Sequence, residues 1–471
     1  MLAETKTETR RQRWTQIFRQ ALNGEEQEFT TGSIDRAIVL LSIPMILEMM
    51  MESLFAIVDI YFVSKISTEA AATVGVTESV LTLIYSIAIG LSAAATAMVA
   101  RRIGEGKRKA ASIAGAQIIL IALCLSVVIA GIGFFFAKDI LLFMAKDPAL
   151  AENGQHFTRL MLTANLPILL LWMLNGIFRG AGDAATAMRA LFIANGVNIV
   201  LDPLLIFGLG PFPEMGVLGA AVATTIGRSA GVMYQLWQLF QVGKIVRIRL
   251  AYFRPQWAVI RRLLDLAAGS TGQFLIASAS WIFLMYILGQ ISTGVVAGYT
   301  IAIRIIVFTI LPSWGMANAA ATLVGQNLGA GHPERAEQSA WRAGFFNMIF
   351  MATVGVIYLS GAPFFIGLFT TEPEVQEAGS MALRILAAGY VFYGYGMIIA
   401  QAINGAGDTR TPTLLNFICF WLIEMPLAWL LALHFNWGQA GVYYSIVIAE
   451  SILAVAAIWI FRQGKWKTVK V

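Results

Sequence analysis

Gly180-Ala-Gly-Asp183 recurs as Gly405-Ala-Gly-Asp408, 225 residues further along the chain. The same separation places Ile103-Gly-Glu-Gly on Leu328-Gly-Ala-Gly. These matches fall on glycine and polar positions, which a shared apolar composition explains poorly. The sequence therefore predicts two tandem copies of one folding unit.

The alignment of the two copies needs no gap. It carries Gly216-Val217, near the end of the first copy, onto Gly441-Val442. We therefore expect the two copies to have the same length, element by element.

The composition is typical of a chain that lies mostly in lipid. Hydrophobic residues make up 58% of the 471 positions, charged residues only 13%, and the mean hydropathy is +0.73. A soluble domain carries roughly 25% charged residues. Apolar runs of about 20 residues, each long enough to cross the hydrocarbon as a helix, alternate with short charged segments.

These runs predict an all-α integral membrane protein with twelve transmembrane helices. Each copy holds six of them, an even number, so both copies enter the membrane from the same side and form a parallel repeat. The predicted spans are residues 36–62, 70–99, 110–136, 153–177, 187–207, 216–240, 263–289, 295–325, 337–360, 377–402, 412–433 and 440–461.

The spans divide the chain into two lobes with a cleft between them at the membrane midplane. Rocking of two such lobes around a central site is how secondary transporters alternate access. The expected domains are an N-terminal segment (1–35), an N-lobe (36–240), a basic inter-lobe loop (241–262), a C-lobe (263–461) and a tail (462–471).

Basic residues are concentrated in alternate loops. The loops after spans 2 and 6 and the tail are rich in Lys and Arg, whereas residues 208–215 and 434–439 carry none. The positive-inside rule then predicts that both termini are cytoplasmic, in a plasma membrane that we expect to be a bacterial inner membrane. The net charge of +6 therefore indicates orientation in a lipid bilayer rather than binding of nucleic acid.

The N-terminal segment carries no secretory signal. Residues 10–22 place Ile17, Phe18 and Ala21 at helical spacing among arginines. This pattern predicts either a helix on the membrane surface or a partly ordered basic tail.

Cysteine and histidine usage argues against metal and thiol chemistry. Cys124 and Cys419 lie inside apolar spans, and the three histidines, His156, His332 and His434, lie in or near loops. No phosphate loop and no nucleophile triad is present. We therefore expect no enzymatic activity and no cofactor beyond a coupling ion.

Three carboxylates line one face of the first span. At about 100° per residue, Glu52 lies about 40° from Glu48 around the helix, and Asp59 lies about 20° from it. Such an acidic stripe must face a wet interior or partner helices. We expect Glu52 to contact a cationic substrate near the midplane. The alternative is that Glu48 and Glu52 pair with Arg228 or another donor for structure.

The fifth span contains a second polar group. Asn198 and Asp202 are one turn apart on one face, and Pro203 frees a backbone carbonyl nearby. An amide, a carboxylate and a carbonyl together suit Na⁺ or a proton. Asp59 lies at a matching depth, so Asp59, Asn198 and Asp202 are candidates for binding a coupling Na⁺ or proton. The alternative is a helix-end carboxylate that bonds only to neighbouring backbone.

Ionisable residues inside other spans are further candidates for the cleft, because an unpaired charge in lipid is costly. Trp281, Trp314, Tyr393 and Tyr395 add the possibility of an aromatic surface for cations. The remaining carboxylates that we expect to line the cleft are Glu78, Glu424 and Glu450.

The positions 225 residues after Asp59, Asn198 and Asp202 show whether the second copy could carry the same cation site. Asp59 falls on Leu284, Asn198 on Ile423 and Asp202 on Leu427. The gapless register thus predicts that ion coupling is confined to the first lobe.

From Gly32 to Phe461 the chain resembles the multidrug and toxic compound extrusion (MATE) family. The resemblance rests on Ser42-Ile-Pro44 with Val58-Asp59, on the doubled glycine loops, and on Asn198 with Asp202-Pro203. It implies a V-shaped pair of six-helix lobes that exports organic, mostly cationic compounds against inward Na⁺ or H⁺, with Asp59, Asn198 and Asp202 in the first-lobe cation site. We expect a monomer to suffice.

The chain departs from one branch of that family. The branch named for norfloxacin resistance carries acids in spans 7 and 10, where this chain has Gln273 and Tyr393. The chain is therefore more similar to the DNA-damage-inducible branch, and both residues remain cleft candidates.

Other classes of protein fit less well. A major-facilitator transporter also has two parallel six-helix halves, but the doubled Gly-Ala-Gly-Asp loops argue against it. A flippase for a lipid-linked oligosaccharide or another amphipathic metabolite would need more basic groups than Arg228 and Arg304 in its cleft. A membrane enzyme or receptor should show a catalytic cluster or a soluble domain.

Overall fold

The computed structural model describes residues 10–24, 29–241 and 245–471, and this part of the chain is helical throughout, without strands. The helices of the first half are α1 (Arg10–Asn23), α2 (Ile34–Ser64), α3 (Thr68–Gly104), α4 (Arg108–Ala145), α5 (Pro148–Thr163), α6 (Leu166–Ala181), α7 (Ala184–Ile206) and α8 (Val217–Phe240). The helices of the second half are α9 (Trp257–Gly289), α10 (Thr293–Gly329), α11 (Pro333–Gly367), α12 (Pro373–Ala388), α13 (Tyr390–Gly405), α14 (Arg410–Asn416), α15 (Met425–Trp429) and α16 (Gln439–Arg462). Two π-helical segments, Phe417–Glu424 and Leu430–His434, join α14 and α15 to the loop before α16.

The helical membrane fold is confirmed, with a qualification on the number of spans. Ten helical segments of the described chain are long and apolar enough to cross a membrane, and α12 with α13, bent by 57°, make an eleventh. The remaining predicted span is α8, whose 24 residues would reach about 36 Å. Polar residues such as Arg228 and Gln235 lower the hydropathy of this helix.

The two halves share their helix caps, which confirms the repeat at the level of hydrogen bonds. Asp183 accepts hydrogen bonds from the backbone N–H and the hydroxyl of Thr186, and Asp408 does the same with Thr411. The glycine before each aspartate ends a helix with a positive φ, +94° at Gly407. The recurring Gly-Ala-Gly-Asp loops are therefore helix-stop and helix-start signals.

The lobes meet through glycines that are also related by the repeat. A Cβ on Gly104 would lie 2.0 Å from the carbonyl oxygen of Gln326, and one on Gly329 would lie 2.2 Å from that of Arg101. Both contacts lie between α3 and α10, at the helix ends nearest the chain termini. The same reciprocal pattern joins Gly90 in α3 to α9 and Gly315 in α10 to α2. The lobes therefore pack backbone against backbone on the side of the termini.

The expectation that the two copies align without a gap is wrong from within α7 onward. The N–H of Gly216 bonds to the carbonyl of Ile206, and the N–H of Gly438 bonds to that of Ala432. Equivalent residues of the two lobes are thus 226 positions apart at the end of α7, because the π-helical segment of the C-lobe adds one residue. They are 222 positions apart after the following loop, because that loop is four residues shorter in the C-lobe. Gly441 therefore corresponds to Gly219, not to Gly216.

This register changes which residues of the two lobes correspond. The twelfth residue of the 24-residue α8 is Arg228, and the twelfth residue of the 24-residue α16 is Glu450. A basic residue in one lobe is thus replaced by an acidic one in the other.

Both ends of the described chain bind across the lobes. Arg101 and Arg102 of α3 donate to the carbonyls of Val469 and Val471 in the tail. Arg335 of α11 donates to carbonyls of residues 29–32. The N-terminal helix α1 packs on α2, with Ala21 buried.

Residues between the lobes also pack onto the N-lobe. Ile245, Val246 and Ile248 join its apolar core, and Gln117 of α4 donates to the carbonyls of Tyr252 and Arg254. The region predicted as an inter-lobe loop is thus held against α4, and α9 begins at Trp257, six residues before the predicted span.

We expect Gly104→Ala to destabilise the protein, because its methyl group would collide with a backbone carbonyl that has no side chain to move aside. Overpacking of this kind costs ~1–3 kcal/mol. Thermal unfolding of the purified protein in detergent measures the effect. Gly131→Ala in α4 is the matched control, since nothing lies within 4 Å of the added atom and a helical glycine replaced by alanine is stabilising. Equal melting temperatures for the two variants would contradict the close approach of the lobes.

Candidate functional site

A cavity of about 330 Å³ lies between the lobes. We call it the central cavity. The glycine contacts between α3 and α10 separate it from the chain termini. Helices α2, α3, α6 and α8 line it from the N-lobe, and α9, α10 and α13 line it from the C-lobe. Its polar lining residues are Glu52, Glu78, Tyr85, Ser92, Thr96, Arg179, Arg228, Ser270, Gln273, Asn318, Gln401 and Asn404.

Glu52 lines this cavity as an ion pair. Both of its carboxylate oxygens accept hydrogen bonds from Arg228, at 2.8 and 3.1 Å. The guanidinium of Arg228, which is 2% exposed, also lies 4.7 Å from the centre of the Phe55 ring. The charge of Glu52 is therefore already compensated within the N-lobe, which is the structural alternative considered for this residue.

Glu48 is buried behind the cavity rather than in it. Its carboxylate lies 3.7 Å from the guanidinium of Arg179 and accepts a hydrogen bond of 2.9 Å from Asn175. Gln235 of α8 in turn donates to Asn175. Glu48 therefore belongs to a buried polar network that ties α2 to α6 and α8.

The C-lobe replaces that ion pair with two amides. Gln273 and Asn404 lie 225 residues after Glu48 and Arg179, and they exchange two hydrogen bonds, of 3.0 and 3.1 Å. Gln273 therefore corresponds to Glu48 in position and in contacts, with the charges of both partners removed.

The three predicted coupling residues lie together at the end of the N-lobe farthest from the termini. Asn198 donates hydrogen bonds to Asp202, at 3.2 Å, and to the hydroxyl of Thr224, at 3.3 Å. Asp202 is 0% exposed and lies close enough to Asp59 for the two carboxylates to repel each other. Asp59 also lies close enough to Glu78 and to Arg228 for electrostatic interaction, repulsive with Glu78 and attractive with Arg228.

Two oxygens of this group have no hydrogen-bond partner. They are Oδ1 of Asn198 and Oδ2 of Asp202, and both are buried. Buried polar atoms are almost always satisfied, so each such orphan requires an explanation. Oxygen ligands of this kind suit a hard cation or a proton. Within the described residues, no group of three or more His, Cys, Asp or Glu side chains could hold a metal ion, so a Na⁺ ion here would also need amide, hydroxyl or backbone oxygens.

A second cavity, of about 380 Å³, lies within the C-lobe. We call it the C-lobe cavity. Phe274 and Trp314, whose rings stack with centroids 4.9 Å apart, line both cavities and form the wall between them. Its other aromatic and polar lining residues are Gln273, Ser278, Trp281, Tyr393, Gln401, Asn416, Phe420 and Glu450.

The two carboxylates of the C-lobe lie differently. Glu450 lines the C-lobe cavity, beside Tyr393. Glu424, in the π-helical segment, is 2% exposed and close enough to Glu450 for electrostatic repulsion, but it lines neither cavity. The corrected register of 226 also places Glu424 opposite Asn198, and Ala428 opposite Asp202. The expectation that all three coupling positions become apolar in the C-lobe is therefore wrong for Asn198.

Arg179 and Asn404 are site residues that the sequence reasoning missed. The predicted fourth span ended at residue 177, so Arg179 was counted as a loop residue, whereas it is 4% exposed within α6. The repeat carried a signal for both residues. Glu48 and Arg179, an acid and a base, become Gln273 and Asn404, two amides, at the same separation of 225, as expected for two residues in contact.

Comparison with known proteins agrees with this architecture. A 25% identical relative, called a probable multidrug resistance protein NorM, from Thermotoga maritima, covers 96% of both chains. A 26% identical relative from Shewanella oneidensis, called an FAD transporter, covers 92% of this chain and 95% of its own. A solved structure described as the outward-facing conformation of a multidrug resistance MATE family transporter superposes with a TM-score of 0.88, at 27% identity, over 94% of this chain and 99% of the other.

The family model called MatE matches the chain twice, at residues 44–204 and 270–430. One match falls within each lobe, so each lobe contains one copy of the family's unit. The chain therefore belongs to the MatE family of multi-pass membrane transporters and is not an enzyme.

Proposed function

We propose that this protein exports organic, mainly cationic, drugs and toxic compounds in exchange for Na⁺ or H⁺. The observation that carries the proposal is the group of Asp59, Asn198 and Asp202, in which two buried oxygens are unsatisfied, in one lobe of a two-lobed transporter. Relatives called multidrug resistance proteins support export of varied compounds. Gln273 and Tyr393, at the places of acids in the norfloxacin-resistance branch, support the DNA-damage-inducible branch.

The mechanism follows from the repulsion between the two carboxylates. Asp59 and Asp202 cannot both stay ionised at low cost in a buried site, so a cation or a proton between them relieves that strain. Binding that favours one arrangement of the lobes shifts the population toward it. Arg228 interacts electrostatically with Asp59 and, with Glu52, lines the central cavity. An ion bound at Asp59 can therefore affect a substrate in that cavity through this pair.

Export of an anionic or amphipathic metabolite is the alternative, and the relative called an FAD transporter makes it concrete. Such a substrate, or a lipid-linked oligosaccharide, needs positive charge in the cavity. Arg179 and Arg228 are the arginines that line the central cavity, and each faces a carboxylate. Their charges are compensated, which favours a cationic substrate.

We expect the double variant Asp59→Asn with Asp202→Asn to lose ion-driven transport, because the coupling site would no longer gain or lose charge. The measurement is uptake of a fluorescent lipophilic cation into proteoliposomes driven by a Na⁺ or a pH gradient. Asp139→Asn, an exposed carboxylate in α4, is the matched control and should keep the wild-type rate. Undiminished gradient-driven uptake in the double variant would place the coupling elsewhere. Movement of FAD or an oligosaccharide lipid, but of no cation, by the wild type would favour the alternative.

We expect Glu52→Gln to destabilise the fold rather than only to weaken transport. Removing one member of a buried ion pair costs ~3–5 kcal/mol, because the other charge is left uncompensated. Thermal unfolding measures the loss, and Glu52→Gln with Arg228→Gln should recover much of it. Glu372→Gln, an exposed carboxylate before α12, is the control. If the double variant is no more stable than the single one, the ion pair does not set the stability.

We also propose that the protein acts as a monomer in the bacterial inner membrane, with both termini in the cytoplasm. A reporter enzyme active only outside the cytoplasm should be inactive when fused after Val471 and active when inserted at Gly210, in the loop between α7 and α8. Enzyme assays on whole cells give the readout. The reverse pattern would invert the topology.

A further inference from the structure

We propose that the C-lobe cavity binds a lipophilic organic cation, with the carboxylate of Glu450 as its counter-ion. Trp281, Tyr393 and the stacked pair of Phe274 and Trp314 form its aromatic walls. The inference rests on the proposed function, since it assigns the place where the exported cation is held.

The first argument is the charge at corresponding positions of the two lobes. In the N-lobe, Glu52 and Arg228 form a bidentate ion pair. The corresponding residues of the C-lobe are Ala277, at a separation of 225, and Glu450, at the twelfth position of its helix. In the C-lobe, alanine thus replaces the glutamate of the ion pair, and a negatively charged residue type replaces its positively charged partner.

The second argument is the space that this exchange leaves. Ala277 and Glu450 both line the C-lobe cavity. The short side chain of Ala277 leaves open the region that Glu52 fills in the other lobe. The cavity therefore occupies the place of an ion pair and presents one member of it, a carboxylate, to a ligand.

The third argument is the absence of a competing positive charge. No Lys or Arg is among the residues that line the C-lobe cavity, in the part of the chain that the structure describes. The other carboxylate nearby, Glu424, does not line the cavity. A charge of one sign in a region of low dielectric attracts an opposite charge far more strongly than it would in water.

The fourth argument is the aromatic lining, three members of which have no aromatic counterpart at the equivalent N-lobe positions. Phe274, Trp314 and Tyr393 correspond, at a separation of 225, to residues of the N-lobe that are aliphatic: Met49, Ile89 and Ile168. Aromatic faces attract cations that lie within about 6 Å. A cavity of about 380 Å³ is in the range that holds drug-sized ligands. Charge, space and lining thus point to one ligand class, an aromatic or alkyl-substituted cation.

Binding of tetraphenylphosphonium to the purified full-length protein tests this inference, by equilibrium dialysis with radiolabelled cation. We expect Glu450→Gln to weaken binding at least about tenfold. Binding of neutral triphenylphosphine oxide, of similar shape, should change less than about twofold. Glu424→Gln is the matched control, since it removes a neighbouring carboxylate that does not line the cavity, and it should keep most of the affinity.

A second variant tests the symmetry argument without leaving a charge unpaired. Ala277→Glu with Glu450→Arg rebuilds the N-lobe ion pair in the C-lobe and should keep the wild-type melting temperature while losing tetraphenylphosphonium binding. Unchanged affinity in Glu450→Gln, or an equal loss in Glu424→Gln, would overturn the assignment of Glu450. If the wild type binds and transports the cation while Glu450→Gln binds it equally well, only this inference fails. If the wild type neither binds nor transports any cation tested, the proposed function fails with it.

Discussion

A charge buried in a membrane protein must meet a partner, and that requirement organises the interior of this transporter. In the N-lobe, Glu48 faces Arg179 and Glu52 faces Arg228, so that each of these two arginines is opposed by a carboxylate. These pairs join α2 to α6 and to α8 and thereby hold the first helix of the lobe against its neighbours. Buried polar atoms need partners too, so the unsatisfied oxygens of Asn198 and Asp202 are informative exceptions.

The contrast between the two cavities follows from the same requirement. The arginines that line the central cavity are each paired with a carboxylate, whereas the C-lobe cavity carries the carboxylate of Glu450 among aromatic rings. The stacked rings of Phe274 and Trp314, together with Gln273, Leu311 and Gln401, line both cavities and lie between these two environments. One scaffold thus provides a cavity in which arginines are paired with carboxylates, near the proposed ion site, and a second, acidic cavity suited to a cation.

Most of the fold could be predicted from the sequence because hydropathy and the repeat report directly on membrane helices. The recurrence of Asp183 as Asp408 predicted two copies of one unit, and each of these residues accepts hydrogen bonds at the start of a helix. The correspondence of Arg228 with Glu450 was out of reach, since it depends on one extra residue in a π-helical segment and on a shorter loop, and neither leaves a clear mark in an apolar sequence. The pairing of Glu48 with Arg179 was missed for a simpler reason: an arginine near the end of a span looks like a loop residue until its partner is known.

The glycine contacts between the lobes have an evolutionary consequence. Gly104 meets the residues around Gln326, and Gly329 meets those around Arg101, so each side presents the same surface to the other. Reciprocal contact of this kind is the mark of an isologous twofold interface, the kind that identical subunits form. A half-length ancestor with these glycines could have paired with a second copy of itself. Fusion into one chain then released the two halves from identity, so that one could keep an ion pair where the other opened a cavity.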